Sequence, residues 1–271
     1  MPRRPIPLQS VLLNTPDIEI WPGGLLRARG NADERQLSRA LRVLRRKRDG
    51  RYLAAELPEG LLPLVDRLPH EPGLADALQA LEPAPSRGLP APAGTLALDR
   101  LQERLDALVI DADDYAARTG LAMVAEPGWL AFAGFDRYRR ALWLQRDAAR
   151  GWLAMRGAAL RAGVVLEAIS GYRSHDYQLG IFARKQASGL ALDEILAVNA
   201  APGFSEHHSG QALDIGAPGE PPAEESFETT PAFAWLERNA AFHGFSMSYP
   251  RGNPHGITYE PWHWRHGAAA G

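Results

Sequence analysis

Apolar positions in the second half of the chain recur with two periods, and together they predict helices interleaved with short strands. Across residues 135–162, Tyr138, Leu142, Ala149, Leu153 and Leu160 fall at spacings of four and seven, which predicts one long helix with a single buried stripe, closed by Gly163. Residues 164–169 form a short β-branched, apolar run and read as a strand. Gly171-Tyr172-Arg173 then turns the chain into a helix that Ser174 can N-cap, with Asp176 in the first turn where the helix dipole favours an anion, ending near Ser188-Gly189. Residues 211–215 read as a strand, 231–243 as a helix with Pro231 at its start and Gly244 just past its end, and 245–249 and 257–265 as two more strands. Helices placed before and among short strands imply an α+β domain, a small and mainly antiparallel sheet with helices packed on it.

The first part of the chain patterns differently. Over residues 33–48, Leu37, Leu41 and Leu44 line one side of a predicted helix and Arg39, Arg42, Arg45, Arg46, Lys47 and Arg48 surround it, the pattern of a solvated basic face rather than an anionic docking site. Pro/Gly-rich stretches break the sequence at 83–94 and 218–222, and only the first has the composition of a linker. The expected organisation is an N-terminal accessory region over 1–95, with the linker at its end and no chemistry assigned to it, followed by a second domain over 96–271.

Composition narrows the chemistry. With 45% hydrophobic and 23% charged residues the chain is an ordinary globular sequence, and 30 Lys and Arg against 32 Asp and Glu give no surplus of positive charge for binding nucleic acid. Peptides or small molecules are the expected partners. There is no cysteine, so any zinc site is built from His and carboxylates. Arg3 and Arg4 are followed by Pro5 and Pro7 rather than an apolar signal-peptide core, and no run approaches the roughly 20 apolar residues of a membrane span. A cytoplasmic location is the expectation, with the periplasm as the alternative; oligomeric state is not legible.

The informative residues are Ser205-Glu206-His207-His208-Ser209-Gly210-Gln211-Ala212-Leu213-Asp214 and, some fifty positions on, Tyr259-Glu260-Pro261-Trp262-His263. Two histidines and an aspartate suit Zn2+, which takes imidazole nitrogen and carboxylate oxygen and leaves a fourth position open when it is catalytic. Glu260, three residues before His263, is placed to act as general base. Any histidine taken alone is more often a surface or core residue, and His208 competes with His207 because neighbours on extended chain point opposite ways.

These residues resemble the VanY-type D-alanyl-D-alanine carboxypeptidases, zinc peptidases of peptidoglycan that include D,D-dipeptidases and L,D-carboxypeptidases. The likeness rests on Ser205, His207, Gly210, Ala212 and Asp214, on Glu260 and His263, and on an upstream Ser170-Gly171-Tyr172-Arg173-Ser174 segment followed by Gln178. It implies zinc held by His207, Asp214 and His263, with the family register selecting His207 over His208. It further implies Glu260 and Arg173 as catalytic residues and Gln178 and Ser205 as substrate-binding residues, Arg173 meeting either the oxyanion or a substrate carboxylate. The activity implied is removal of a terminal D-alanine from peptidoglycan stem peptides, with released muropeptides as substrate and L,D-cleavage of a tetrapeptide favoured. The alternatives are D,D-carboxypeptidase or D,D-dipeptidase activity on D-Ala-D-Ala ends, or a zinc module without catalysis. Gly210 and Ala212 are expected to be small to permit close backbone approach, Trp262 and Trp264 to pack in the core, and the acidic loop 219–228 to be a solvated connection that can also shape a pocket.

Overall fold

A computed structural model describes residues 10–26, 37–82 and 94–267. The chain divides into two units, Met1–Leu96 with Pro127–Phe132, and Ala97–Glu126 with Ala133–Gly271. The 83–94 stretch read as a linker lies, but for Gly94, outside the described residues.

The first unit is an antiparallel sheet. Its strands are β1 (Val11–Asn14), β2 (Ile18–Pro22), β3 (Arg42–Arg46), β4 (Tyr52–Leu57), β5 (Gly60–Pro63) and the start of β6 (Trp129–Phe135), in the order β5-β4-β3-β2-β1-β6. Adjacent residues of β3 face opposite ways, so Val43 joins an apolar cluster with Leu37, Ala55 and Leu57 while Leu44 joins Ile18, Ile20, Leu53 and Leu68. This corrects the helix expected over 33–48, of which 33–36 lie outside the described residues. The arginines that suggested a helix surface instead reach carboxylates on other strands and loops: Arg45 meets Glu19, Arg42 meets Glu56, and Arg46 meets Asp49 and Glu71. Cross-strand charge pairing has no local signature, and the leucine spacing alone fits either period.

The second unit is α+β, as its pattern implied. Its sheet has four antiparallel strands in the order β10-β11-β9-β8: β8 (Glu167–Ser170), β9 (Ala212–Gly216), β10 (Phe245–Met247) and β11 (His263–His266). Every residue of the central strand β9 is buried. Helices α1 (Leu74–Leu81), which belongs to the first unit, α2 (Asp99–Ala107), α3 (Ala112–Thr119), α4 (Arg146–Arg161), α5 (His175–Ala187), α6 (Leu192–Ala197) and α7 (Pro231–Asn239) complete the described elements with β7 (Ala141–Leu144). Leu101, Leu105, Tyr115, Phe182, Ile195, Phe204 and Tyr249 form one core cluster of this unit.

The long helix expected over 135–162 is shorter and differently faced. Its first ten residues are the end of β6, a tight turn and β7: Asp136 accepts hydrogen bonds from the Tyr138 and Arg140 amides at 2.9 and 2.8 Å, and Arg139 adopts φ +61°. The buried stripe of α4 is Ala148, Ala149, Trp152, Met155 and Ala159, whereas Leu153 and Leu160 are 36% and 64% exposed. Small residues and one tryptophan cover the core here, and a reading weighted to leucine chose the wrong face. Ser174 caps α5 as expected, accepting from the Tyr177 amide at 3.1 Å. The last expected strand, 257–265, is regular only in β11.

Candidate metal centre

Sheet register assembles the centre. His263 at the start of β11 lies directly across from Asp214 on β9, and Ser170 at the end of β8 lies across from Asp214 on the other side. Asp214 therefore occupies the middle of the sheet, with His263 on one flank and the Gly171-Tyr172-Arg173 turn leaving from the other. His207 comes from a 3-10 turn, Glu206–Ser209, that Gly210 ends in the left-handed conformation at φ +70°, so Gly210 is small for its backbone angle. Gly171 is small for contact: a Cβ there would sit 2.9 Å from the Trp143 carbonyl oxygen and 2.7 Å from Leu142.

His207, Asp214 and His263 are all buried, and their donor atoms lie within 4.8 Å of one another. His207 Nδ1 donates to the Gly171 carbonyl at 2.7 Å, which leaves Nε2 facing Asp214 Oδ1 at 3.2 Å. That nitrogen is buried and has no hydrogen-bond partner. His263 is oriented in the opposite sense: Nε2 donates to Glu206 Oε2 at 2.9 Å, and Nδ1 faces the same Asp214 oxygen at 3.1 Å. Two imidazole nitrogens thus converge on one carboxylate oxygen, and each ring's other nitrogen is held by a carbonyl or carboxylate, the outer contact that fixes ligating histidines. An orphaned buried nitrogen within an N2O donor set fits a zinc ion, which three such ligands hold with a coordination position to spare.

Electrostatics are those of a site that wants a cation. Burial opposes ionisation of Asp214, yet His207, His263 and Arg173 hold its carboxyl well below the usual range. Burial likewise works against Glu206, and hydrogen bonding and charge from His263 outweigh it, drawing the carboxyl down to about 2. For His263 burial is overcome by Asp214 and Glu206, which raise it to about 10; for His207 burial dominates, with Arg173 adding to it, and lowers it to about 4.

Glu260 Oε2 is 3.8 Å from His263 Nδ1, and burial raises its carboxyl to about 7. Arg173 Nη2 reaches the second oxygen of Asp214 at 3.3 Å, while its buried Nε has no partner. Structure therefore gathers Glu260 and Arg173 at the triad. Gln178 is buried and donates to the Ala200 carbonyl at 3.1 Å, its Oε1 being without a partner. Ser205 is buried at the head of the 3-10 turn and makes no capping bond with its side chain.

Sequence reading missed Glu206, which bridges His263 to Arg265 (Nη1 to Oε1, 3.1 Å). A carboxylate immediately before a ligand histidine was the available signal. The extended-chain alternation expected to separate His207 from His208 does not apply, because the chain here is a tight helical turn; His208 is fully buried, donates from Nδ1 to the Arg173 carbonyl at 2.7 Å and accepts at Nε2 from the Gly203 amide at 3.1 Å. Trp264 is buried as expected. The acidic loop is fastened rather than free: Glu225 and Glu228 pair with Arg251, whose guanidinium lies 4.0 Å above the Tyr259 ring, next to Glu260. No helix among the described residues is long and apolar enough to cross a membrane.

Residues 141–269 match the VanY family of D-alanyl-D-alanine carboxypeptidases. A D-alanyl-D-alanine carboxypeptidase of Enterococcus faecium is 33% identical over 136 residues, 49% of this chain and 40% of that protein. Among solved structures, the LdcB LD-carboxypeptidase is 31% identical over 49% of this chain and 64% of its own, with a TM-score of 0.46. A VanB-type VanY D,D-pentapeptidase solved with Zn(II) is 28% identical over 46% of this chain and 74% of its own, with a TM-score of 0.39. The match spans about half the length, or less, of three of the curated relatives. All the donors of the buried triad fall within the segment that is similar to the VanY-type D-alanyl-D-alanine carboxypeptidases.

Proposed function

We propose that the protein is a zinc-dependent carboxypeptidase that removes a terminal D-alanine from peptidoglycan stem peptides. The observation that carries this is the convergence of His207 Nε2 and His263 Nδ1 on Asp214 Oδ1, with Glu260 3.8 Å from the same His263 nitrogen. Zinc held by His207, Asp214 and His263 supplies Lewis acidity toward a carbonyl oxygen and a water molecule. Glu260 takes a proton from the attacking water and returns it to the leaving amine; a buried carboxyl poised near neutrality has the basicity for both transfers. Arg173, with Nε unpaired, places positive charge where the carbonyl oxygen becomes anionic or where a substrate carboxylate sits. Gln178 and Ser205 line the substrate side.

The preferred reaction is L,D-cleavage, tetrapeptide to tripeptide, on released muropeptides. Family relatives act at both kinds of terminus, and the penultimate centre differs in chirality and side-chain length, a difference a closed site resolves by several kcal/mol. Incubating the zinc-loaded protein with defined tri-, tetra- and pentapeptide muropeptides and weighing the products tests this. Loss of one alanine from the tetrapeptide is expected. Faster loss from the pentapeptide assigns D,D-activity, and no loss from any of them removes the catalytic reading.

A further inference from the structure

Arg173 has one side-chain contact at its guanidinium and two main-chain contacts. The guanidinium meets Asp214 at 3.3 Å, a long contact. Both main-chain polar groups, by contrast, are taken by the 3-10 turn that carries the ligand: Arg173 N–H donates to the His207 carbonyl at 3.3 Å, and Arg173 C=O accepts from His208 Nδ1 at 2.7 Å. His208 is in turn pinned at Nε2 by the Gly203 amide, so it presents a fixed Nδ1–H toward Arg173. One buried carboxylate also holds residues before and after the arginine: Glu126 accepts from the Tyr172 hydroxyl and, at 2.8 Å, from the His175 amide, two positions on. His175 adds an edge-on ring contact to His208, 4.4 Å between centroids, and a 2.8 Å hydrogen bond to the Val124 carbonyl. Val124 N–H donates to the Gly203 carbonyl at 2.7 Å, which closes the circuit.

The geometry points to Glu126 and His208 as a pair of positioning residues that together set where the Arg173 guanidinium stands over Asp214. Neither is placed in the donor triad. The inference rests on Arg173 serving the proposed hydrolysis, and it concerns how a long, flexible side chain is aimed: fixing its backbone from both sides sets the point and direction from which the guanidinium extends toward Asp214. Misplacement of a reacting group by about 1 Å can lower a rate on the order of 100-fold.

The test uses substitutions that mimic one ring nitrogen at a time. Asn at 208 puts an amide nitrogen where Nδ1 stands, and Gln puts one where Nε2 stands. With the zinc-loaded full chain and whichever stem peptide it cleaves, His208→Asn is expected to keep kcat/KM within about threefold, while His208→Gln lowers it roughly 10- to 100-fold. Glu126→Gln, which weakens one side of the clamp, is expected to cost less than His208→Gln. Both losses vanish in an Arg173→Ala background, because a residue that acts through Arg173 has nothing left to act on. In the metal-free protein, hydrogen–deuterium exchange over residues 170–175 rises in His208→Gln and stays at the wild-type level in His208→Asn. Equal losses for Asn and Gln, or losses that persist in full without Arg173, overturn the inference. Arg173→Ala that leaves kcat/KM unchanged counts instead against Arg173 in the proposed function, and the exchange comparison still reports whether His208 holds the turn.

Discussion

Glu206 offers a sharp test of the metal centre, because it touches the ligand set through one atom. Its Oε2 accepts the proton of His263 Nε2 at 2.9 Å, and so keeps Nδ1 aimed at Asp214. A hydrogen bond to a charged, buried acceptor contributes about 1.5–3 kcal/mol, and about 1.4 kcal/mol is a factor of ten. Removing it should weaken zinc binding about 10- to 100-fold, the range found when the outer partner of a ligating histidine is lost. Arg265, the other partner, is 38% exposed in its side chain and re-solvates, so the loss falls on His263. The two replacements should differ in a set order. Glu206→Gln can still accept from Nε2 and loses mainly the charge, giving the tenfold end; Glu206→Ala frees the ring and gives the hundredfold end. Competition against a chromophoric chelator at pH 7.5, with thermal melts to show that each variant folds, measures both. Unchanged zinc affinity in Glu206→Ala would refute the reading that this carboxylate orients a ligand.

The remaining predictions address the triad and its neighbours. Wild type is expected to carry one equivalent of zinc and His207→Ala to fold and lose it, measured by metal analysis after dialysis; stripping zinc from wild type should abolish turnover and leave the fold, because Gly171 and Glu206 hold the two rings without the ion. Glu260→Gln should retain zinc and lose activity on the order of 10²- to 10⁴-fold, and in wild type kcat/KM should rise with pH as Glu260 loses its proton, at a midpoint between the ordinary carboxyl value and about 7 because bound zinc draws it down. The same carboxyl carries a stability signature: its folded value lies above the unfolded 4.5, so ionisation opposes folding from pH 4.5 upward and fully so above 7. Metal-free Glu260→Gln should then be more stable than wild type at pH 8, on the order of 3 kcal/mol at most, and equal to it near pH 4, read by denaturant melts. Arg173→Lys should restore only part of the kcat/KM lost in Arg173→Ala, since a point charge does not replace a planar fork.

How much of this was legible in the sequence depends on how local each determinant is. Ser174 capping α5, Gly244 ending the turn after α7 and the strand at β9 follow from residues within a few positions of one another, and all three stand where the pattern put them. Where the determinant is distant, the pattern misled. Arg42, Arg45 and Arg46 lie on a strand and pair with Glu56, Glu19 and Glu71, up to 26 positions away. The Asp136 turn was hidden under a Tyr138–Leu142 spacing that a helix shares. At the centre, the two motifs indicated His207, Asp214 and His263, whose donor atoms the fold brings within 4.8 Å of one another. Glu206 bridging to His263 over 57 positions, and Glu126 to His175 over 49, required the fold.

Charge balance supports the proposed cation. Asp214 and Glu206 are ionised, and each has one arginine: Arg173 on Asp214 Oδ2 and Arg265 on Glu206 Oε1. The oxygens left over, Asp214 Oδ1 and Glu206 Oε2, both turn to His263, and Glu260 stands beside the same ring. Holding His263 doubly protonated satisfies those oxygens yet leaves His207 Nε2 orphaned, since a buried imidazole beside Arg173 resists a proton of its own. A dication in place of the His263 Nδ1 proton would be held by His207, Asp214 and His263. It also favours the ionised Glu260 that burial otherwise suppresses. One substitution of a metal for a proton would therefore occupy the unpaired His207 nitrogen and also favour the ionised base.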